Sequence, residues 1–438
     1  MKLLSLAGLG AAAGFCAAVA FTHIAQGDTG DIPPSSSYAQ LDRFAEALTK
    51  VHDNYVTPED DRTLVENAID GMTSSLDPHS SYFSPTVFAE MQTTTQGQYG
   101  GVGLVIAVES GQVKVISPID GTPASRAGIK AGDVIMAIDG VSAQGLKLDD
   151  VQSKLRGPQG TKVTITVARE GQKDTIDFHL VRADVAVEPV TWRTDGDVGY
   201  IKIPAFNDHT DDGVKKAVAG IKAKLGPRLK GYVLDLRNDG GGVLDAAIAV
   251  SDDFLDGGEI VSTRGRHPED MQRYDAHPGD IADGKPILIL TNGGTASASE
   301  IVAGALQDHR RAKVVGTVTF GKGSVQTIIP LNDGEDGALH LTTGRYYAPS
   351  GRSIQTVGII PDYPVAAAGK KIDPADQEIE SEAKLPHHLP AEGPGANATP
   401  PPPLQPPPGK TFDDFQLDYA VSLLDGTTLA STAPRPHG

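Results

Sequence analysis

Cysteine occurs once in these 438 residues, at Cys16. Everything after that position is therefore without a disulfide framework or a thiol nucleophile. Aromatic residues are scarce, at 5%, with a single tryptophan. Positive charge is in deficit: 38 Lys and Arg against 56 Asp and Glu leave a net charge of −18. That balance excludes nucleic acid and anionic membrane surfaces as electrostatic partners. The twelve histidines form no HExxH, and one cysteine cannot complete a Cys/His ligand set, so no metal site is expected. Glycine (50) and proline (31) are abundant beside a hydrophobic content of 39%, which assigns part of the length to linkers. The length suits two or three domains of about 100–200 residues.

Lys2 is followed by LLSLAGLGAAAGFCAAVA, which ends in the small-x-small pattern Ala18-Val19-Ala20. This reads as a secretory signal peptide. An uncleaved anchor is the lesser alternative, because 10–14 is only glycine and alanine, too weakly apolar for stable insertion. Phe15 before Cys16 argues against lipid modification. Residues 1–25 are thus a signal peptide or N-terminal anchor, and 26–37, rich in Gly, Asp, Pro and Ser, a tether. Within 38–96, Leu41, Phe44, Leu48, Val51 and Tyr55 recur at helical spacing, as do Leu64, Val65, Ala68, Ile69 and Met72. The LDPHSSY turn follows, and His79 in it reads as a hydrogen-bonded turn residue rather than a base.

Residues 97–185 are β-rich and full of glycine. The run YGGVGLV leads into a strand, and its successive glycines can expose backbone N–H groups as an anion nest. GGVG lacks the third glycine and the helix of a dinucleotide fingerprint. From 186 the pattern is mixed α/β: a strand at 199–203, an amphipathic helix at 213–225, and a strand at 231–236. The last ends in Arg237-Asn238-Asp239-Gly240-Gly241-Gly242. That glycine run is either a plain tight turn or a backbone free of side chains that can face a substrate carbonyl.

Apolar 286–290 reads as a buried strand, followed by TNGGTASASE and then a helix with Ile301, Ala303, Ala305 and Leu306 on one face. Ser297 has two readings. With Glu300 three residues on, it fits a capping box. Alternatively it is a nucleophile whose oxyanion meets the unpaired N–H groups of the helix start. Lys322, between Gly321 and Gly323, favours the second reading. A desolvated lysine loses its proton easily, and the neutral amine can take one from a serine, which is the serine–lysine form of nucleophile plus base. A Walker phosphate loop fails at Gly323, where a metal-binding hydroxyl is required, and Thr317-Val318-Thr319-Phe320 favours extended strand.

TASASE and TFGKGSVQ together resemble the active-site region of the carboxyl-terminal processing, or tail-specific, serine proteases. The resemblance implies Ser297 as nucleophile, Lys322 as base and Gln326 as the residue that orients the lysine. It also implies an oxyanion hole from the N–H of Ala298 and of Gly241 or Gly242, the glycine loop being similar to the family's DLRNNPGG block with Gly240 in place of proline. Thr295, Gly344 and Ala348 are further departures, none catalytic.

SPIDGTPASRAGIKAGDVIMAIDG resembles a PDZ domain. This implies that Gly101, Val102 and Gly103 bind a C-terminal carboxylate, with Leu104, Val151 and Leu155 lining the peptide groove. The plainer alternative makes Val151 and Leu155 core residues only. The implied fold class is mixed α/β: a crotonase-like serine protease core at 186–370, a PDZ domain inserted ahead of it at 97–185, and the N-terminal helical region at 38–96. A Pro-rich linker at 371–411 would be polyproline II that cannot pack. A helix at 412–426 would dock on the core or on a partner. The resemblance implies no cofactor, an exported enzyme of the bacterial periplasm or cell envelope, and protein C-terminal tails as substrates. A regulatory adaptor and a homo-oligomer stay open. The rival from another class is a non-catalytic peptide-binding protein on the same scaffold.

Overall fold

The computed structural model describes residues 34–427, apart from 96–97, 110–111, 120, 147–150, 152–153, 170, 187–189, 370–380 and 397. The segment expected as signal peptide or anchor, most of the expected tether and part of the expected linker lie outside the described residues. The chain divides into two compact units, one up to Asp70 and one from Gly71 onward.

The first unit carries helix α1 (Pro34–Asn54) and most of α2 (Asp61–Ser74). Both helices stand where apolar residues recur at helical spacing. Helix α1 starts inside the segment read as tether. Pro34 needs no backbone donor in a first turn, so the helix can begin on it. Tyr38, Leu41, Phe44 and Val51 on α1 are exposed.

In the second unit, α3 (Pro85–Thr95) precedes a small β-domain. The strands Gln98–Gly101 and Ala183–Ala186 pair antiparallel, so the chain enters and leaves this domain side by side, as an insertion. Between them runs a sheet in the order Leu104–Glu109, Gln112–Pro118, Val134–Ile138, Lys162–Ala168 and Ile176–Val181, with short helix α4 (Pro123–Ala127) beside it. It has its own core, which includes Val102, Val115, Ile135, Val151, Leu155 and Ile165.

The larger body is built on a six-stranded sheet. Its order is Thr191–Asp195, Val198–Lys202, Gly231–Asp235, Ile287–Thr291, Ala312–Gly316 and Tyr363–Pro364, parallel from the second strand on. Successive side chains of a strand point to opposite faces. Tyr232, Leu234, Ile287 and Ile289 therefore face the core shared with α5 (Thr210–Leu225), α6 (Leu244–Asp252) and α7 (Ala298–Asp308). Val233, Leu288 and Leu290 face the other way, onto α8 (Phe415–Asp425). Parallel strands covered on both faces need the unbroken apolar runs seen in the sequence. A second sheet joins Ser81–Phe83, Ala338–Tyr347, Gly258–Gly265 and Gln272–Ala276, with Ser324–Pro330 also paired to Ala338–Tyr347.

Two sequence expectations change here. Residues 317–323 are an irregular loop rather than the extended strand expected of Thr317-Val318-Thr319-Phe320, because their polar groups bond to scattered partners, Thr291, Ile359, Thr295 and the Glu300 carboxylate, instead of to one strand. The segment read as an unpacked linker also packs at two points. Glu382 is fully buried, and Leu404 bridges to Val365. Each polar atom that this burial removes from water has a partner: Glu382 bonds to His79 and Gln355. Helix α8 docks on the core, the first of its two expected alternatives.

Candidate active site

Ser297 stands where the strand Ile287–Thr291 turns into α7. Its backbone holds φ 57° and ψ −117°, a conformation that costs a non-glycine residue about 1–3 kcal/mol. A sharp strand-to-helix turn of this kind projects a serine side chain away from the sheet. Here it lines a cavity of about 1090 Å³, together with Ala298, Gly240, Gly241, Gly242, Lys322 and Gln326.

The turn is fixed from the glycine loop beside it. Thr295 Oγ1 donates to the Leu236 carbonyl at 2.7 Å and accepts from the Asn292 N–H at 3.1 Å. A serine hydroxyl would do the same, so the departure at Thr295 keeps the needed group. Asn238 and Asn292 bond reciprocally, N–H to Oδ1 at 2.9 Å and Nδ2 to Oδ1 at 2.6 Å. At Gly241, φ is 97° and a Cβ would lie 2.8 Å from the Ser297 Cβ and the Ala298 nitrogen. Only glycine lets the two loops touch there.

The Gly241 N–H is engaged, donating to Asp239 Oδ1 at 2.8 Å. The N–H groups of Gly242 and Ala298 have no acceptor among the described residues, and both residues line the cavity. Asp239 itself is fully buried, and its Oδ2 has no hydrogen-bond partner among the described residues. Burial pushes its pKa up to about 7.

Lys322 reaches the same cavity from the loop after Ala312–Gly316. Gly321 precedes it with φ 94° and is pressed against the Thr356 backbone, where a Cβ would come within 3.0 Å. Burial pulls the Lys322 pKa below the ordinary lysine value, against the opposing charges of Glu382, Glu300 and Asp77. Among the described residues none of these carboxylates is within ion-pair distance of its amine, so desolvation wins. Gln326 follows a β-bulge between Val325 and Gln326, which re-aims a side chain. Its Nε2 donates to Ser324 Oγ at 2.9 Å and Thr342 Oγ1 at 3.1 Å, leaving the amide oxygen to accept.

Several residues of this environment escaped the sequence reading. Tyr346 is almost fully buried. Its hydroxyl donates to the Lys322 carbonyl, and like Ser297 it lines the cavity. His340 also lines the cavity, its pKa lowered by burial and by the Lys322 charge. Asp77 collects bonds from Ser80, Thr342 and the His79 N–H. His79 bonds Glu382 at 2.8 Å and does not line the cavity. Apart from His79, which the turn pattern marks as hydrogen-bonded, these residues lie 18 to more than 200 positions from Ser297 and Lys322 in ordinary-looking stretches, and no local spacing signals them.

The small-domain residues are placed elsewhere. Val102, Val151 and Leu155 are buried in that domain's core, and Leu104 packs against it half-buried. Gly101 closes the strand Gln98–Gly101. Gly103 has φ 77°, and its carbonyl accepts from Ile119 N–H and Thr122 Oγ1. None of them lines the Ser297 cavity, although Arg156 of the same domain does.

Known proteins are similar to this chain along most of its length. The description of peptidase family S41 matches residues 197–365, that of a PDZ domain 114–169, and that of the activating protease CtpB N-terminal domain 11–86. The chain is 46% identical to the carboxy-terminal-processing protease of Bartonella bacilliformis, over 92% of each chain. It is 35% identical to the carboxyl-terminal-processing protease of Synechocystis, over 75% of this chain and 78% of that one. Among solved structures, the photosystem II D1 C-terminal processing protease is 32% identical, covering 73% of this chain and 91% of that one, with a TM-score of 0.44.

Proposed function

The chain belongs to the S41 family of carboxy-terminal-processing serine proteases and contains a PDZ domain, and on that premise we propose that it cuts peptide bonds with a Ser297–Lys322 dyad. Neutral Lys322 takes the Ser297 proton as Oγ attacks the peptide carbonyl. The N–H groups of Ala298 and Gly242 hold the tetrahedral oxyanion, Gly241 being engaged with Asp239. Lys322 then gives its proton to the leaving amine as the C–N bond breaks. A water attacks the acyl-enzyme ester with Lys322 again as base, which restores the Ser297 hydroxyl. Gln326, its amide donors occupied, offers its oxygen to the lysine and orients it. No cofactor enters these steps.

The reading is carried by one observation: a lysine with its pKa lowered by burial lines the same cavity as a serine held at a strained helix start. The substrates are protein C-terminal tails, their carboxylate bound by the small domain near Gly101, Val102 and Gly103 and the tail laid beside half-buried Leu104, with Val151 and Leu155 supporting that wall from the core. That domain spans 97–185 and the protease core 186–370. The signal-like N-terminus supports an exported enzyme of the cell envelope.

The test is cleavage of an unstructured peptide with a free carboxylate by the wild type and by Ser297→Ala. Cleavage by the wild type alone supports the reading, and equal cleavage by both refutes it. In cells, new C-termini confined to exported proteins and dependent on Ser297 would place the enzyme. The same termini on cytosolic proteins would refute export.

A further inference from the structure

The capping-box glutamate does more in this fold than finish a helix. Glu300 is fully buried and its carboxylate gathers four donors. Oε2 accepts from the Ser297 N–H at 2.8 Å and from the Lys322 N–H at 2.9 Å. Oε1 accepts from the Gly321 N–H at 2.8 Å and from Thr319 Oγ1. One oxygen thus holds the backbones of both residues assigned to the dyad, although 24 residues separate them in sequence. A helix cap needs only the first of these bonds. The other three tie down the lysine loop, which has no strand pairing of its own between 317 and 323.

We propose that Glu300 is a positioning residue that clamps the nucleophile turn to the lysine loop and so sets the reach between Ser297 and Lys322. The proposal rests on the dyad reading given above. Its physical basis is the sensitivity of proton transfer to distance, since a misplacement near 1 Å costs about a hundredfold in rate. A neutral amide cannot replace the carboxylate. Glu300→Gln would keep one oxygen for two donors and turn an NH₂ group toward the other two, where the Thr319 hydroxyl alone could accept and the Gly321 N–H would lose its acceptor. Tyr346 adds a further hold on the lysine loop through the Lys322 carbonyl.

The charge of Glu300 gives a second handle above about pH 7, to which burial raises its pKa against the four donated bonds. The groups around Lys322 are Glu300, Glu382 and Asp77, which favour its ammonium, and His340 and Tyr346 beside them. His79 stands behind, bonded to Glu382. Removing one of three carboxylates makes the ammonium easier to deprotonate. The rising limb of the pH–rate profile then moves to lower pH.

The experiment measures kcat, KM and the pH profile of the full chain on an unstructured peptide, with Ser297→Ala as control. Glu300→Gln is expected to lower kcat about a hundredfold with KM within about twofold, and to shift the limb to lower pH. Glu300→Asp keeps the charge but is one methylene short, so kcat falls while the limb stays in place. A Glu300→Gln enzyme with kcat within about threefold of wild type, or with lowered kcat and an unmoved limb, overturns the clamp.

If Glu300→Gln does not fold, Thr319→Val decides, with Thr319→Ser as its control. Loss of the donor hydroxyl should lower kcat about tenfold, the serine variant should match wild type, and an unchanged Thr319→Val enzyme overturns the proposal. If Ser297→Ala itself still cuts, the dyad reading fails and the clamp with it. If Ser297→Ala is dead while Glu300→Gln is normal, only the clamp fails.

Discussion

At Lys322 three carboxylates favour the charged form and burial opposes it, and the outcome is a lysine below its ordinary pKa. Activity should therefore climb with pH through that lowered pKa and level off above it, because the neutral amine is the working form. Lys322→Arg should be inactive at every pH, since a guanidinium stays protonated; measurable cutting by this variant at alkaline pH would exclude the lysine as base. Asp239 shows the opposite case, a carboxyl raised by burial to about 7 from 3.8. Its contribution to stability is fully present below about 4 and is lost as pH rises toward about 7, where the unfolded chain ionises first. Asp239→Asn removes that dependence while keeping an acceptor for the Gly241 N–H. Thermal melts from pH 4 to 8 should show the wild type losing stability relative to Asp239→Asn across that window. Parallel melting curves would contradict the buried charge.

Among the elements, α8 has the most specific attachment. Asp414 caps it by accepting from the Leu417 N–H at 3.1 Å, and also pairs with Arg237 through Oδ1 at 2.9 Å and Oδ2 at 2.7 Å. Arg237 in turn holds Asp235, whose pKa is near 2 because burial is outweighed by the Arg237 charge and its hydrogen bonds. The C-terminal helix is thus tied to the strand end from which the glycine loop leaves. Asp414→Ala should cost about 1–3 kcal/mol, from the lost cap and charge-assisted bonds, because Arg237 keeps Asp235 as its counter-ion. Chemical denaturation measures it, and a loss below about 1 kcal/mol would mean that the pair is effectively solvated.

This attachment marks the limit of what could be read in the sequence. Local patterns gave the strands at 231–236 and 286–290, the helix after Ser297 and the lysine between glycines, because periodicity and glycine placement are local properties. The partnerships were not legible. Glu382 falls in the stretch expected as linker, and Tyr346 carries no local pattern that marks it. Glu300 carried a visible capping signal, yet its three bonds to 319–322 depend on where a distant loop returns. In the same way, Thr317-Val318-Thr319-Phe320 has strand propensity that scattered partners, the buried carboxylate among them, override.

At the scale of the whole molecule, a small domain with its own core is inserted ahead of the catalytic body, joined by a two-stranded ribbon. If it selects tails by their carboxylate, amidating a substrate's last residue removes a charge-assisted bond of about 1.5–3 kcal/mol. Cleavage efficiency should then fall about tenfold or more. Equal cleavage of amidated and free-acid peptides would remove tail recognition from the proposal. The dyad is tested most directly by comparing kcat/KM for Ser297→Ala, Lys322→Ala and the double variant on one unstructured peptide. Two residues acting as a unit should give singles and double that are about equally inactive. Substantial activity in Lys322→Ala, or a double variant far worse than either single, would contradict the dyad.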